Sequence, residues 1–322
     1  MNNILITGVA GFIGHAVAKK AIASGYNVIG IDNLNDYYSV ALKQDRLKDI
    51  GNKNFQFYQC DISNQSEISK ISTNHPDIEY IVHLAAQAGV RYSVENPFAY
   101  VQSNLVGHMV ILEMCRQLKQ LKHLVYASSS SVYGNNTKLP FAISDNVDHP
   151  VSLYAATKKA DELLTHSYSH LYSIAATGLR FFTVYGPWGR PDMATFMFTK
   201  NIIEGKPIKV FNNGEMMRDF TYIDDIINGI MAAVKKIPAN IPAYKIYNIG
   251  NHKAENLSHF IKILENIIGK KAIIEYAPMH PGDVKQTYAD ITETTNDLGF
   301  KPETSIEAGL PRFVDWYTQY YK

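Results

Sequence analysis

Of the chain's twenty-one tyrosines, only Tyr154 is followed by a lysine four positions on: Lys158, in "YAATK". On a helix that spacing puts both side chains on one face, so an ammonium can lie near a phenol. A phenol of ordinary pKa ~10 works as a base at neutral pH only if about 4 kcal/mol favours its ionised form. Neighbouring positive charge supplies that kind of bias. An isolated tyrosine–lysine pair of this spacing is usually an ordinary helical pair, but this one is not isolated. "ASSSSVYG" lies upstream, with Ser129 twenty-five positions before Tyr154 and at the end of the apolar run "HLVYASSS". Ligands of open α/β sheets collect at the C-terminal ends of strands. Serine, tyrosine and lysine gathered there would move protons on a hydroxyl or carbonyl.

A second constellation lies near the N-terminus. "ILITGVAGFIG" places Gly8, Gly11 and Gly14 after an apolar run and into the following helix. Glycines there permit a tight turn and let backbone N–H groups and a helix N-terminus approach a diphosphate. The spacing is GxxGxxG, not GxGxxG, and three glycines alone are a weak signal. One strand further on, "GIDNLN" ends in Asp32, whose carboxylate can accept both hydroxyls of an adenosine ribose and would repel a 2′-phosphate. "CDI" then offers Asp61 for an adenine edge. Together they predict NAD, not NADP, as the cofactor.

The elements that must hold these residues are legible as a pattern. "NILIT", "NVIGID", "FQFYQCD", "YIVHLAA" and "HLVYASSS" predict buried strands, with helices between them near 12–24, 39–50, 64–73 and 97–119. "SIAATGLR" and "YKIYNIG" predict two further strands. Alternating strands and helices predict an α/β fold, a Rossmann-like doubly wound parallel sheet. Past Arg180, prolines and glycines crowd the chain and a smaller, discontinuous lobe is expected. The predicted division is a dinucleotide domain over 1–180 with a return segment at 222–250, and a mainly substrate-binding lobe over 181–322.

Composition narrows the classes. With 322 residues, 46% of them hydrophobic and 19% charged, the chain is an ordinary globular protein. A net charge of +1 makes no electrostatic case for nucleic acid or an anionic membrane surface. Two cysteines, Cys60 and Cys115, exclude a disulfide framework and point to a reduced, cytoplasmic setting. No apolar run approaches a membrane span, and "MNNILITG" has no basic leader. His166 and His170 have the spacing of a metal pair but no third ligand, so no metal is expected.

The order TGxxGFIG, Asp32, HLAA at 83–86, SSSSVYG, YxxxK and "RDFTYIDD" at 218–225 resembles the extended short-chain dehydrogenase/reductases, and within them the NAD-dependent nucleotide-sugar epimerases. The resemblance runs nearly end to end. It implies that Tyr154, Lys158 and Ser129 are catalytic. It places Phe12, Ile13, Asn33 and Ile62 around NAD, with Leu84, Ala85, Ala86 and Asn104. It also implies that Arg218 binds the diphosphate of a UDP-sugar, that Asp283 contacts the uridine ribose, and that Ser130 lies near the sugar. Where sugar-nucleotide dehydratases carry Asp and Glu, this chain has Ser130 and Ser131, so elimination lacks its acid and base. One departure is His108, where the family often has threonine. A homodimer is implied, pairing helices near 97–119 and 152–172 through positions such as Val110, Leu112, Leu163 and Leu164.

"DNLNDYY", "QAGVRYS" and "TVYGPWGRPDM" narrow the resemblance to the UDP-glucuronate 4-epimerases. That implies Thr183 and Arg190 beside the C5 substituent of the sugar, with Arg91 as a further anion contact. The residues alone leave a competing reading open, in which Arg190 is the internal partner of Asp192. UDP-glucose or UDP-N-acetylglucosamine epimerisation is the alternative activity. A non-catalytic dinucleotide sensor is the alternative from another class, and the retained tyrosine and lysine argue against it.

Overall fold

The computed structural model describes residues 2–278 and 284–322. Seven parallel strands form the central sheet: β1 (Asn3–Thr7), β2 (Asn27–Asp32), β3 (Phe55–Gln59), β4 (Ile78–His83), β5 (His123–Ser129), β6 (Ala176–Phe181) and β11 (Tyr244–Ile249). Their order is β11-β6-β5-β4-β1-β2-β3. The chain winds outward from β1 to β3, then returns to lay β4 against the other side of β1. Strand order therefore reverses between β1 and β4, where a doubly wound sheet opens a crevice at its C-terminal edge. Thr7 lies opposite Ile31 on one side and His83 on the other, so the glycine turn, Asp32 and the 84–86 segment all leave the sheet at this edge.

Burial follows position in the sheet. Ile4, Leu5 and Ile6 of β1 are wholly buried, as both faces are covered by helices. Edge strand β3 instead exposes Gln56 and Gln59. Helices Phe12–Ala23, Val40–Ile50 and Gln65–Asn74 fall where the apolar spacing predicts them. The fourth predicted helix is interrupted: Val101–Val106 forms a π-helical turn between Pro97–Tyr100 and Gly107–Gln117. Such bulges re-aim side chains and often sit at functional sites.

Six shorter strands pair outside the main sheet. β7 (Thr183–Tyr185) runs parallel to β10 (Phe220–Tyr222), and β8 (Pro207–Phe211) parallel to β13 (Ile273–Ala277). β9 (Met217–Arg218) is antiparallel to β12 (Glu255–Asn256). Helix Ile223–Lys235 packs back on helix Phe12–Ala23, and β11 closes the sheet beside β6. One apolar core runs from Ile4 and Val17 through Phe181 and Ile230 to Phe196 and Phe313, without a break at residue 180.

Four histidines are buried within this frame. Burial lowers His15 and His123 to about 4 and His108 to about 3, and holds His83 well below the usual range. An unfolded imidazole protonates near its ordinary ~6.5, so below that pH the unfolded chain binds more protons and stability falls. Each histidine contributes about 1.4 kcal/mol per pH unit over that interval. Asp161 and Asp219, both raised to about 6 by burial, oppose the trend below that pH, as do Asp32 and Asp224, also pushed up by burial, but the histidines act from ~6.5 downward and so over more of the interval. The urea midpoint is expected to be lower at pH 5 than at pH 7. An equal or higher midpoint at pH 5 would contradict this account.

Candidate active site

The glycine turn is built by close approach. Gly8 has φ +70°, and a Cβ there would lie 2.8 Å from the backbone nitrogen of Ala85. A Cβ on Gly14 would lie 2.0 Å from the carbonyl oxygen of Gly8. Any side chain would push helix Phe12–Ala23 off the turn. The helix has no side-chain cap at Gly11, and Gly11, Phe12 and Ile13 line a cavity of about 520 Å³. Uncapped N–H donors facing a cavity suit a diphosphate.

Asp32 ends β2, nearly buried, and accepts from the backbone N–H groups of Ala10 at 3.1 Å and Leu34 at 2.9 Å. Burial pushes its carboxyl up, against the pull of those donors and of Lys43. Asn33 donates to Asp61 at 2.8 Å. Asp32, Asn33, Asp61, Ile62 and the Leu84–Ala86 segment line the same cavity as the glycines. These groups together fit a dinucleotide.

Tyr154 and Lys158 line the same cavity. Ser152 caps helix Leu153–Tyr172 by accepting from the Ala155 N–H at 3.1 Å. That cap sets Tyr154 in the first turn and Lys158 one turn on. The Tyr154 ring meets Tyr100 edge to face at 6.1 Å. Lys158 donates to the Ala127 carbonyl and to Asp161, each at 3.0 Å. Ser129 closes β5 and accepts from the Ser131 N–H at 3.1 Å. Behind it, Ser128 donates to Glu162, which holds Arg180 through two contacts of 2.8 Å. Ser129, Ser130, Tyr154 and Lys158 all line the cavity.

So do Thr183, Arg190 and Arg218. Arg190 is also ion-paired: Nε and Nη2 donate to the two oxygens of Asp192, at 3.0 and 2.5 Å. Tyr37 donates to the same carboxylate at 3.1 Å. Burial would raise Asp192, but Arg190 and Tyr37 hold its carboxyl below the usual range. Asp192 takes two of the five guanidinium hydrogens, leaving an Nη1/Nη2 edge for a second planar acceptor. Both readings of Arg190 from the sequence are therefore compatible.

Two expected residues stand elsewhere, and a third is not described. Asn104 is buried in the wall behind the cavity, where it bonds both backbone groups of Gln87, at 2.8 and 3.1 Å, and the Thr157 hydroxyl at 2.9 Å. Its place in the π turn lets it tie the strand-end loop to the Tyr154 helix. Arg91 stacks on the Phe211 ring at 4.1 Å and is not among the described residues lining the cavity. Asp283 lies outside the described residues. Asp219, the neighbour of Arg218, spends its carboxylate on the Thr221 hydroxyl and the N–H groups of Asn251 and Ala289.

Several participants escaped the motifs. Arg46, wholly buried, donates to the Ala10 carbonyl at 2.9 Å and the Trp188 carbonyl at 2.6 Å. It thus ties the glycine turn to the loop carrying Arg190, and Trp188 anchors that loop against His15 and Trp316. Tyr37 and Lys43 line the cavity from the segment after β2. Their types in "NDYYSVALKQDR" are a visible signal, but their direction is not.

A cavity of this kind at the switch point of a doubly wound parallel sheet defines a dinucleotide-binding α/β protein. Within that class the chain belongs to the NAD dependent epimerase/dehydratase family, whose model matches residues 4–250. UDP-glucuronate 4-epimerase 4 of Arabidopsis thaliana is 45% identical over 99% of this chain and 76% of that protein. The crystal structure of the Bacillus cereus UDP-glucuronic acid 4-epimerase with UDP-glucuronic acid and NAD superposes with a TM-score of 0.91 at 37% identity, covering 99% of this chain and all of that one. A Thermotoga maritima UDP-glucose 4-epimerase with UDP-glucose gives 0.90 at 31% identity over the same shares. The fold is common to epimerases of both sugars, so discrimination must be sought in side chains.

Proposed function

We propose that this protein interconverts UDP-glucuronate and UDP-galacturonate by NAD-dependent epimerisation at C4. The observation that carries this reading is one cavity lined by the glycine turn, the Tyr154–Lys158 pair, Thr183 and the Arg190 guanidinium. NAD, when bound, supplies a reversible hydride acceptor, so there is no net redox change. Tyr154 takes the proton of the sugar 4-hydroxyl, directly or through Ser129, and returns it after the 4-keto sugar has turned over. Lys158 supplies the positive charge that favours a phenolate and holds the nicotinamide ribose. Arg218 and Asp283 bind the diphosphate and uridine ribose. Arg190 and Thr183 hold the sugar carboxylate.

The chemistry gives Arg190 a second task. Oxidising C4 of glucuronate makes a β-keto acid, which loses carbon dioxide when its carboxylate bond aligns with the carbonyl π-system. A carboxylate gripped by a guanidinium can be kept out of that alignment. A UDP-glucose epimerase needs no such grip, since its hydroxymethyl is neutral.

The test is to denature purified protein, assay released NAD, and offer the native enzyme a panel of UDP-sugars. NAD release and preferred conversion of UDP-glucuronate are expected. Equal turnover of UDP-glucose refutes the substrate assignment, and no turnover of any UDP-sugar refutes the activity.

The same reading divides the labour of the chain between 1–180 with 222–250, for the dinucleotide, and the rest of 181–322, for the UDP-sugar. It places the enzyme in the cytoplasm, in a pathway of polysaccharide synthesis. Both cysteines are buried and unpaired, and none of the described helices is long and apolar enough to cross a membrane.

It also makes the protein a homodimer. The apolar positions available for pairing are not all those the sequence pointed to. Val110 and Leu112 face the protein's own core, and Leu164 packs partly against it. Phe98 is 81% exposed, however, with Leu163 and Leu171 also open on the same two helical segments and Val94 open just before them. Phe98→Glu is expected to convert a dimer into a monomer by light scattering. A wild-type monomer at micromolar concentration defeats the proposal.

A further inference from the structure

Behind the reactive pair lies a carboxylate that the scheme above does not use. Asp161 sits three residues past Lys158 on the same helix, 1% exposed, with Oδ2 3.0 Å from the lysine Nζ. Lys158 is itself only 4% exposed, and its other acceptor is the neutral Ala127 carbonyl. Oδ1 of Asp161 is buried with no hydrogen-bond partner among the described residues. An under-satisfied buried carboxylate is costly and calls for a reason.

The surroundings leave Asp161 as the counter-charge to Lys158. On the same helix, Glu162 is committed to Arg180 and Ser128. On the neighbouring helix, His108 meets the Thr165 hydroxyl at 2.8 Å, and that hydroxyl donates to the Asp161 carbonyl at 2.8 Å. A hydroxyl has one hydrogen, so His108 Nε2 is the donor to Thr165, while its Nδ1 is buried with no hydrogen-bond partner among the described residues. Burial keeps His108 and His83 uncharged. Tyr126 on β5, also facing Asp161, is pushed well above the usual tyrosine range by burial.

We propose that Asp161 is the buried counter-ion that keeps Lys158 an ammonium, making it a positioning residue for the Tyr154–Lys158 pair. The proposal rests on the function proposed above. Desolvation drives a buried amine toward its neutral form, by as much as several pH units, and an adjacent anion opposes it. Tyr154 lies two turns from Asp161, so the carboxylate acts more strongly on the ammonium it touches than on the phenol. Burial pushes the Asp161 carboxyl up to about 6 against the pull of Lys158. Above that pH the pair is ionic.

The test is the pH profile of kcat/KM in wild type and in the isosteric Asp161→Asn variant, with the Lys158 Cε resonance followed in [13C]lysine-labelled protein and assigned with Lys158→Met. In Asp161→Asn the alkaline loss of activity should begin at least one pH unit lower than in wild type, and the lysine resonance should titrate correspondingly earlier. Activity should recover toward neutral pH. An unshifted limb and resonance in folded Asp161→Asn would overturn the proposal, as a merely structural aspartate would lower activity evenly across pH. Should that variant not fold, wild type decides: its Lys158 resonance should show an inflection near pH 6 as Asp161 protonates, and a flat response there overturns the idea. The resonance does not depend on the substrate, so a wild type inactive on UDP-sugars but with the expected titration fails the functional reading alone.

Discussion

Tyr154→Phe is expected to lower epimerisation by ~10³–10⁴-fold, the upper part of what a positioned acid–base group contributes, while fold and bound NAD are retained. The substitution removes one oxygen. The edge-to-face contact of the ring with Tyr100 survives, as do the Ser152 cap and the Lys158–Asp161 contact. Only the proton transfer is lost. Ser129→Ala should cost less, since water can replace a hydroxyl relay more readily than it replaces the terminal base. Released NAD, circular dichroism and initial rates with UDP-glucuronate check the three parts separately. Activity within tenfold of wild type would remove Tyr154 from the mechanism.

Arg190→Ala should weaken the preference for UDP-glucuronate over UDP-glucose by ~1.5–3 kcal/mol, the range for a hydrogen bond to a charged group, or roughly 10–150-fold in the ratio of kcat/KM. Asp192 pushes this toward the upper end. With the guanidinium gone, its carboxylate loses its cationic partner and keeps the Tyr37 hydroxyl, and it would repel a substrate carboxylate held nearby. Arg190→Ala/Asp192→Ala should therefore recover part of the lost preference. Carbon dioxide release should rise in both variants, because the β-keto acid is no longer held out of alignment. If the preference and the product ratio are unchanged in Arg190→Ala, the Arg190–Asp192 pair serves the turn and not the substrate.

Arg46 shows why such a site is only partly readable in advance. It joins the Ala10 carbonyl, 36 residues before it, to the Trp188 carbonyl, 142 residues after it, and nothing in "VALKQDRLKDI" marks its arginine as buried among charged neighbours. Asn104 could be recognised as a motif residue, yet a π turn decides that it braces the wall instead of lining the cavity. Arg91 carries the right charge, but its stacking on the Phe211 ring is a contact that no spacing in the chain records.

What the sequence by itself determined is what local patterns encode. Near-continuous Val, Ile and Leu in short runs make strands buried on both faces, and three glycines at fixed spacing make a turn no other residue permits. A tyrosine and lysine four apart share a helix face whatever surrounds them. Those features need only neighbours within a few residues, so the parallel sheet, the glycine turn and the shared helix face of Tyr154 and Lys158 could all be anticipated. The tertiary structure alone decided where side chains point once distant elements pack. It turned Val110 and Leu112 inward and Phe98 outward, brought Tyr37 to Asp192 across 155 residues, and placed Arg190 against its aspartate and in the cavity wall at once. The physical reason is that direction and partner depend on the packing of elements remote in sequence, and no periodicity records that packing.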